Sequence, residues 1–407
     1  MKKIINRTNG KVLGSIIKIN RLHQNMSQKA LSDGICVSSY LSRIENAEII
    51  PSEQVISELF EALAIEYDDS EAFIESGQER LDHFLDELMF NEFTTSQRIF
   101  ESIESQADRY RHSPLIIDYT IAKLAFYCTR HERHIFEGTR ALLESVEELM
   151  QNDQRFKYYL YYGIDHAKVH QDFKGALEIL NQAASFGSNG HLFYWLGYVH
   201  LSLGNTIKAF EQFNLAMDAY VKEANLLSVI ATYEMLGLTF YRSNHYLDGL
   251  DYFTRGLKIV RKIGAQASEA SFLSNLAWGH LKLGKHQVAL QPEYAGAQRF
   301  TSETSIHYAI IEFLANLEME NSLCVNELLS TFTADESPIM TAFTEIMTHP
   351  ETLNWAEKFI DHEGLLKDLI EKCEPINFEL TKYLKEMLQR LYRDKRRYKE
   401  ALELKFY

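Results

Sequence analysis

Cysteine, proline and glycine are scarce in this sequence. Its 407 residues include six prolines, nineteen glycines and four widely separated cysteines, at Cys36, Cys128, Cys324 and Cys373. No C-x-x-C pair is present, so the sequence favours reduced thiols in a cytosol over a disulfide framework. The shortage of proline and glycine also argues against an all-β architecture, which needs many tight turns.

Long apolar runs are missing as well. No segment approaches about 18 uninterrupted apolar residues, the length that a helix needs to span a membrane. Lys2 and Lys3 are similar to the start of a signal peptide, but polar residues occupy positions 6–9, where its apolar core would begin. We therefore expect a cytoplasmic protein.

The common catalytic motifs are absent too. There is no phosphate-binding G-x-x-x-x-G-K-S/T, no zinc-binding H-E-x-x-H and no G-x-S-x-G nucleophile motif. His131 and His134 could share one helical face, but no third ligand can be named, so a solvated face is favoured over a metal site. We expect no enzyme activity, no metal and no cofactor.

Charge is distributed unevenly along the chain. The formal net charge is -15, which argues against a nucleic-acid partner for the chain as a whole, because phosphates must be neutralised by local positive charge. Residues 1–46, however, contain eight Lys or Arg against two acids, which gives +6 and leaves -21 for the remainder. The basic segment is predicted to meet DNA, and the acidic remainder another partner.

Apolar spacing predicts four short helices within residues 11–63. Ser27 and Ser38 are placed to cap the second and third helices, and Gly34 is placed to end the second. We expect residues 1–68 to form a DNA-binding domain, residues 69–78 a linker and residues 79–407 a helical-repeat domain. The boundary follows the acidic stretch Glu66–Glu71, which lacks large aliphatic residues.

The later part of the chain repeats with a period of 40 residues. The landmarks are Leu196-Gly197, Leu236-Gly237 and Leu276-Ala277, followed by small residues at Ala209, Gly249 and Ala289. Such a period predicts stacked helix pairs, whose small residues let the two helices approach closely while Phe213 and Phe253 fill the space between pairs. Pro292 interrupts the third copy, so a kinked second helix is expected there.

This pattern resembles the tetratricopeptide repeat. The predicted fold class is all-α: a phage-repressor-like helix-turn-helix domain followed by a right-handed tetratricopeptide-like solenoid. Weaker copies lie around Gly163 and around Leu388.

Residues 27–46 resemble the helix-turn-helix of phage-repressor-type regulators, and are most similar to the variant in the peptide-pheromone receptors of Gram-positive bacteria, the Rgg, PlcR, PrgX, NprR and Rap group. That group also joins such a head to tetratricopeptide-like repeats. The resemblance implies a third helix in the major groove, and a structural ion pair between Arg21 and Glu45. The predicted DNA-binding residues are Gln28, Ser38, Ser39, Tyr40, Arg43 and Asn46. For any one of them the alternative is a plain cap or packing role.

The first helices of successive repeats would line a concave groove, which is the usual peptide-binding surface of solenoids. The predicted peptide-binding residues are Tyr194, Tyr198, Glu234, Leu238, Tyr241, Arg242, Asn275, Trp278 and Lys282. Asn275 is the strongest candidate, because an amide both donates and accepts and so pairs with a peptide main chain. Each aromatic, taken alone, is more typical of packing between neighbouring repeats.

These features together predict a peptide-responsive transcription regulator. Its expected partners are operator DNA, a short signalling peptide and a second copy of the chain, since one head of this size covers only a half-site. The alternative is a Rap-like regulator that binds a response-regulator phosphoprotein, and both activities could hold.

Overall fold

The computed structural model of the chain describes residues 9–89, 93–128, 130, 132–295, 302–319, 321, 363–374 and 378–404. Within these ranges the regular elements are helices, which confirms the predicted all-α class. The helices are α1 Gly10–His23, α2 Gln28–Ser32, α3 Ser38–Glu45, α4 Glu53–Ala62, α5 Glu71–Met89, α6 Phe93–Glu104, α7 Ala107–Arg111, α8 Ile116–Tyr127, α9 Arg133–Ser145, α10 Asn152–Lys168 and α11 Phe173–Ala184. They continue as α12 Gly190–Ser202, α13 Thr206–Lys222, α14 Leu226–Arg242, α15 Tyr246–Ile263, α16 Gln266–Lys282, α17 His286–Ala289, α18 Pro292–Ala295, α19 Ser302–Glu318, α20 Glu363–Cys373, α21 Phe378–Asp394 and α22 Tyr398–Glu403.

Helices α1 to α4 are the four that the apolar spacing predicts in the head. The side chain of Ser27 accepts a hydrogen bond from the backbone N–H of Ala30 at 3.1 Å, which confirms it as the cap of α2. Gly34 follows with φ +75°, a left-handed conformation that suits a residue without a side chain. The prediction that Ser38 caps α3 is wrong, because Val37 occupies the cap position and Ser38 is already helical.

The predicted linker at residues 69–78 is wrong over most of its length. Residues 71–78 form the start of α5, which is 19 residues long, and only residues 65–70 run without regular structure before it. The acidic composition that suggested a linker is compatible with a helix, since Glu71 stands in its first turn, where the positive end of the helix dipole favours an acid.

Close packing holds the two helices of each pair together, as the small residues predict, but Phe213 and Phe253, which were expected to fill the space between pairs, contact the glycine of their own pair. A Cβ added to Gly197 of α12 would lie 2.7 Å from the ring of Phe213 on α13. In the next pair, a Cβ on Gly237 of α14 would lie 2.5 Å from the ring of Phe253 on α15. Both phenylalanines are fully buried, so each fills the space that a missing side chain leaves on the facing helix.

The third clear copy is distorted where Pro292 stands. Its second helix is split into α17 and α18, because proline offers no backbone N–H to continue the first of them. The carboxylate of Glu293 in α18 pairs with Arg261 at 3.0 Å. The kink expected from the sequence is therefore confirmed.

The chain divides into two compact units, residues 1–232 and 233–407. In the first unit, the head packs on the helices that follow it. The amide nitrogen of Asn20 in α1 donates to the carbonyl of Arg111 at 3.0 Å, and Arg109 pairs with Asp68 at 2.6 Å. The head is thus held against α7 by bonds to both its first helix and the segment that leaves it.

The described helices include none that is long and apolar enough to cross a membrane.

Glycines at helix crossings should be less tolerant than glycines in open positions. Gly197→Ala is expected to destabilise the first unit by about 1–3 kcal/mol relative to Gly138→Ala, because the new methyl group overpacks against Phe213. At Gly138, in α9, an added Cβ has no neighbour within 4 Å. The gain in helix propensity is the same for both variants and cancels in the comparison. Urea unfolding of the full chain measures the difference, and equal midpoints would contradict the packing role.

Candidate DNA-binding and peptide-binding surfaces

A buried ion pair fixes the helix predicted to read DNA. Arg21 of α1 donates through Nε and Nη2 to the two carboxylate oxygens of Glu45 at the end of α3, at 2.6 and 2.9 Å. The side chains are 7% and 0% exposed. Arg21 also donates to the carbonyl of Met26 at 2.8 Å, so a single guanidinium ties α1, α3 and the turn before α2. The pairing implied by the family resemblance is confirmed.

Gln28 belongs to the same network. Its amide nitrogen donates to Glu45 at 2.7 Å, and the side chain is half-buried. The residue therefore orients the ion pair and completes the bonds of a desolvated carboxylate. A DNA contact by Gln28 stays a prediction. The amide oxygen, which is not part of the bond to Glu45, would make that contact.

The outer face of α3 carries the remaining predicted DNA contacts. Leu41 and Ile44 point into the head core, whereas Ser39 and Arg43 are exposed and Tyr40 is half-buried. The Arg43 side chain is 56% exposed, and its only ion-pair partner in the described chain is Glu48 at 3.5 Å. Such a loose surface pair contributes little to stability, so this guanidinium can be redirected to a base or a phosphate.

A cation that the sequence pattern does not indicate lies near the far end of α3. Asn46 is exposed after the last turn and accepts a hydrogen bond from the ammonium of Lys18 at 3.3 Å. Burial lowers the pKa of Lys18, while the nearby Glu45 raises it. Lys18 stands on α1, and only the packing of α1 against α3 shows that it shares a surface with Asn46.

In the second unit, three polar side chains meet between α14 and α16. The carboxylate of Glu234 accepts hydrogen bonds from the hydroxyl of Ser271 and, at 3.4 Å, from the amide nitrogen of Asn275. The same nitrogen donates to the carbonyl of Ser271 at 3.0 Å. Burial raises the pKa of Glu234, and no cation in the described chain is paired with it. Leu238 and Arg242 are half-buried further along α14.

Other predicted groove residues of this unit are covered by the chain itself. The Trp278 ring lies 5.6 Å from that of Tyr383 on α21. The ammonium of Lys282 pairs with Glu386 on the same helix and lies 4.9 Å from the Tyr383 ring centre. The expectation that both residues line an open groove is wrong in this structure, and a peptide contact at either would require α21 to move.

Tyr241 is a packing residue. Its side chain is fully buried, its ring lies 5.1 Å from that of Phe253, and its hydroxyl donates to the backbone carbonyl of Asn275 at 2.9 Å. The glycines at 249 and 279 leave room for this ring. The prediction of Tyr241 as a groove residue is wrong for this reason, and the alternative of packing between repeats holds.

Tyr194 and Tyr198 belong to the first unit and are half-buried among other rings. The Tyr194 ring lies 5.7 Å from Phe213, and the Tyr198 ring lies 5.3 Å from Trp195 and 6.2 Å from Phe173. Both therefore contribute to packing, and a peptide contact by either stays a prediction.

The described residues include one group with metal-ligand chemistry. Glu137, Asp165 and His170 bring one ligand atom each within 4.8 Å of one another. Arg133 already pairs with both carboxylate oxygens of the buried Asp165, one of them at 3.0 Å. Its guanidinium therefore occupies the place that a metal ion would take. His131 lies outside the described residues, and the two-histidine arrangement considered in the sequence is not part of this cluster.

Known proteins resemble this chain in both its head and its repeats. The helix-turn-helix family matches residues 17–69. The transcriptional activator NprA of Geobacillus stearothermophilus is 22% identical over 271 residues, which cover 63% of this chain and 64% of that protein. The match thus spans less than two thirds of the relative.

Two solved structures share the architecture. A Rap protein complexed with Competence and Sporulation Factor superposes with a TM-score of 0.64 at 12% identity, over 81% of this chain and 95% of that one. NprR in complex with its cognate peptide NprX gives a TM-score of 0.56 at 16% identity, over 80% and 97%. The chain has the fold of these Rap and NprR proteins. The resemblance to this receptor group, inferred from residues 27–46 and the repeats, is confirmed.

Removal of the buried carboxylate should loosen the N-terminal head. Glu45→Ala leaves the guanidinium of Arg21 buried without its partner, which costs about 3–5 kcal/mol. Glu48→Ala is the matched control, since its pair with Arg43 is exposed on both sides and contributes at most about 1 kcal/mol. Hydrogen–deuterium exchange of α1 and α3 in the full chain measures the effect. Protection that is the same in wild type and Glu45→Ala would show that the pair does not hold the head.

Proposed function

We propose that this protein is a transcription regulator that binds operator DNA through α3 and responds to a short peptide bound by its repeats. The observation that carries the proposal is the combination of a helix-turn-helix head, whose α3 face is exposed, with the fold of peptide receptors. The similarity to the transcriptional activator NprA supports the same reading.

The DNA-binding part of the proposal rests on charge and exposure. The basic segment at residues 1–46 supplies the local positive charge that phosphates require, although the whole chain is acidic. The buried pair of Arg21 and Glu45 holds α3 in place, so that Ser38, Ser39 and Arg43 can approach base edges at its exposed side. Tyr40, Asn46 and Gln28 flank this surface and are proposed to contact the backbone or adjacent bases.

Arg43 is expected to contribute to affinity for DNA without supporting the fold. Arg43→Ala should weaken binding to a duplex selected by the wild-type chain from a randomised pool by about 1–3 kcal/mol, as expected for a lost contact to a base. Arg255→Ala is the matched control, because its pair with Asp251 is similarly exposed but lies in the second unit. Mobility-shift titrations compare the three proteins. Equal affinities of the Arg43 variant and wild type would reject this role.

The peptide-binding part of the proposal rests on the cluster of Glu234, Ser271 and Asn275. A carboxylate without a paired cation, a hydroxyl and an amide together offer acceptors and donors to a peptide main chain or to a positively charged group on it. We propose this cluster, with Leu238 and Arg242 beside it, as the peptide contact of the second unit. Ser271 joins the set because it lies one helical turn before Asn275.

Asn275→Ala should reduce peptide binding by about tenfold or more, because a peptide group that loses its partner in a desolvated site costs roughly 1–3 kcal/mol. Asn214→Ala is the matched control, since Asn214 also donates to the carbonyl four residues earlier, at 2.7 Å. Full-length proteins would be incubated with a random heptapeptide pool, and the retained peptides quantified by mass spectrometry. Equal retention by wild type and the Asn275 variant at equal thermal stability would remove Asn275 from the site.

The proposal includes a homodimer, because a head of this size covers one half-site and a palindromic site requires two. A response-regulator partner is a second proposal. Its support is the fold shared with Rap proteins, whereas the helix-turn-helix head with exposed Arg43 favours DNA. A stable complex with a response regulator, formed equally well by Arg43→Ala, would establish it as a separate activity.

A further inference from the structure

A cleft of about 550 Å³ lies between the head and the helices behind it, within the first unit. Its volume is in the range of small-molecule sites, about 300–1,000 Å³. One wall is α1, with Ile19 and Leu22. The other is formed by α8 and α9, where Ile135 and Leu142 provide further apolar surface. Neither the DNA-binding face of α3 nor the cluster at Asn275 is part of it.

The polar groups of this cleft favour an anion. Arg111 and Lys123 line it, together with the uncharged polar side chains of Tyr119 and Thr120, and none of its described lining residues is a carboxylate. Each cation has one carboxylate partner that lies outside the lining. Arg111 pairs with Asp108, and Lys123 lies 3.8 Å from Glu104, which also accepts a hydrogen bond from the hydroxyl of Tyr119.

The pKa of a histidine in the cleft is affected by the same two cations. Burial lowers the pKa of His23, and the charges of Arg111 and Lys123 lower it further, against the opposing effect of Asp108. At His23 the two cations thus act against the single carboxylate of Asp108, which is also the ion-pair partner of Arg111.

Gly138 indicates that the open space is built into α9. Glycine inside a helix is less favourable than alanine, so it usually has a packing reason. At Gly163, Gly197 and Gly237 the reason is a side chain that would lie under 3 Å from an added Cβ. At Gly138, which lines the cleft, no atom lies within 4 Å. The missing side chain leaves room in the cleft itself.

We propose that this cleft binds a small amphipathic anion, a carboxylate on an apolar body, with the apolar part between α1 and α9 and the carboxylate at Arg111 and Lys123. Burial of the apolar body favours binding, and the two cations select the sign of the head group. Because the ligand would touch both the head and the helices behind it, its binding would stabilise this arrangement of the two.

The proposal is tested with octanoate and octylammonium, which share an apolar chain and differ in the sign of the head group. Isothermal titration calorimetry of the full-length wild type is expected to show octanoate binding about tenfold more tightly than octylammonium. Gly138→Leu fills the cleft without a clash at the new Cβ and should weaken octanoate binding by about tenfold or more. Lys123→Gln should weaken octanoate binding and leave octylammonium binding unchanged or improved.

Lys258→Gln, an exposed lysine on α15 in the second unit, is the charge-matched control and should bind octanoate as wild type does. Melting curves show whether each variant is folded. If Gly138→Leu is not, Lys123→Gln still tests the proposal. Absence of octanoate binding by wild type, equal binding of the two probes, or unchanged binding by Lys123→Gln would each overturn the proposal. None of these readouts involves DNA or a peptide, so the result is independent of the proposed regulatory function.

Discussion

Glycines at helix crossings set the distance between neighbouring helices in the described chain. In the head, a Cβ on Gly14 would lie 2.8 Å from the carbonyl oxygen of Ile44, so α1 can rest directly on the backbone of α3. In the repeats, Gly163, Gly197 and Gly237 each receive a large side chain from the partner helix. Since protein interiors are packed as densely as organic crystals, an extra methyl group at such a contact has no space to occupy. The position of α3, and with it Arg21 opposite Glu45, depends on this close approach.

Local pattern predicted the helices well, because the signals that define them lie within a few residues. Apolar spacing indicated α1 to α4, the recurrence of Leu-Gly indicated the repeat pairs, and Pro292 indicated the break between α17 and α18. The errors at Ser38 and at residues 71–78 concern helix ends, where capping and composition leave more than one solution. Ser38 is polar and well placed, yet the backbone becomes helical one residue after Val37.

The candidate sites were predicted less completely, because their surroundings come from distant parts of the chain. Lys282 meets Glu386 across 104 residues of sequence, and no periodicity in α16 indicates that α21 covers it. Tyr241 fits the position of a groove aromatic equally well by register, and only its burial against Phe253 distinguishes the two roles. Arg21 and Glu45 could be paired in advance, since the head resembles a family in which the matching residues are in contact.

The docking of α1 against the helices behind it has a consequence for the proposed binding of two heads to operator half-sites. A DNA-binding head on a flexible linker can rotate to follow its half-site around the duplex. A head bonded to the α7 region through Asn20 and Asp68 is instead held in one orientation. DNA turns by about 34–36° with each base pair, given 10–10.5 base pairs per turn. In the proposed homodimer, inserting a single base pair between the two half-sites would therefore rotate one of them away from a pair of fixed heads, and the length of the spacer would become part of the recognised sequence.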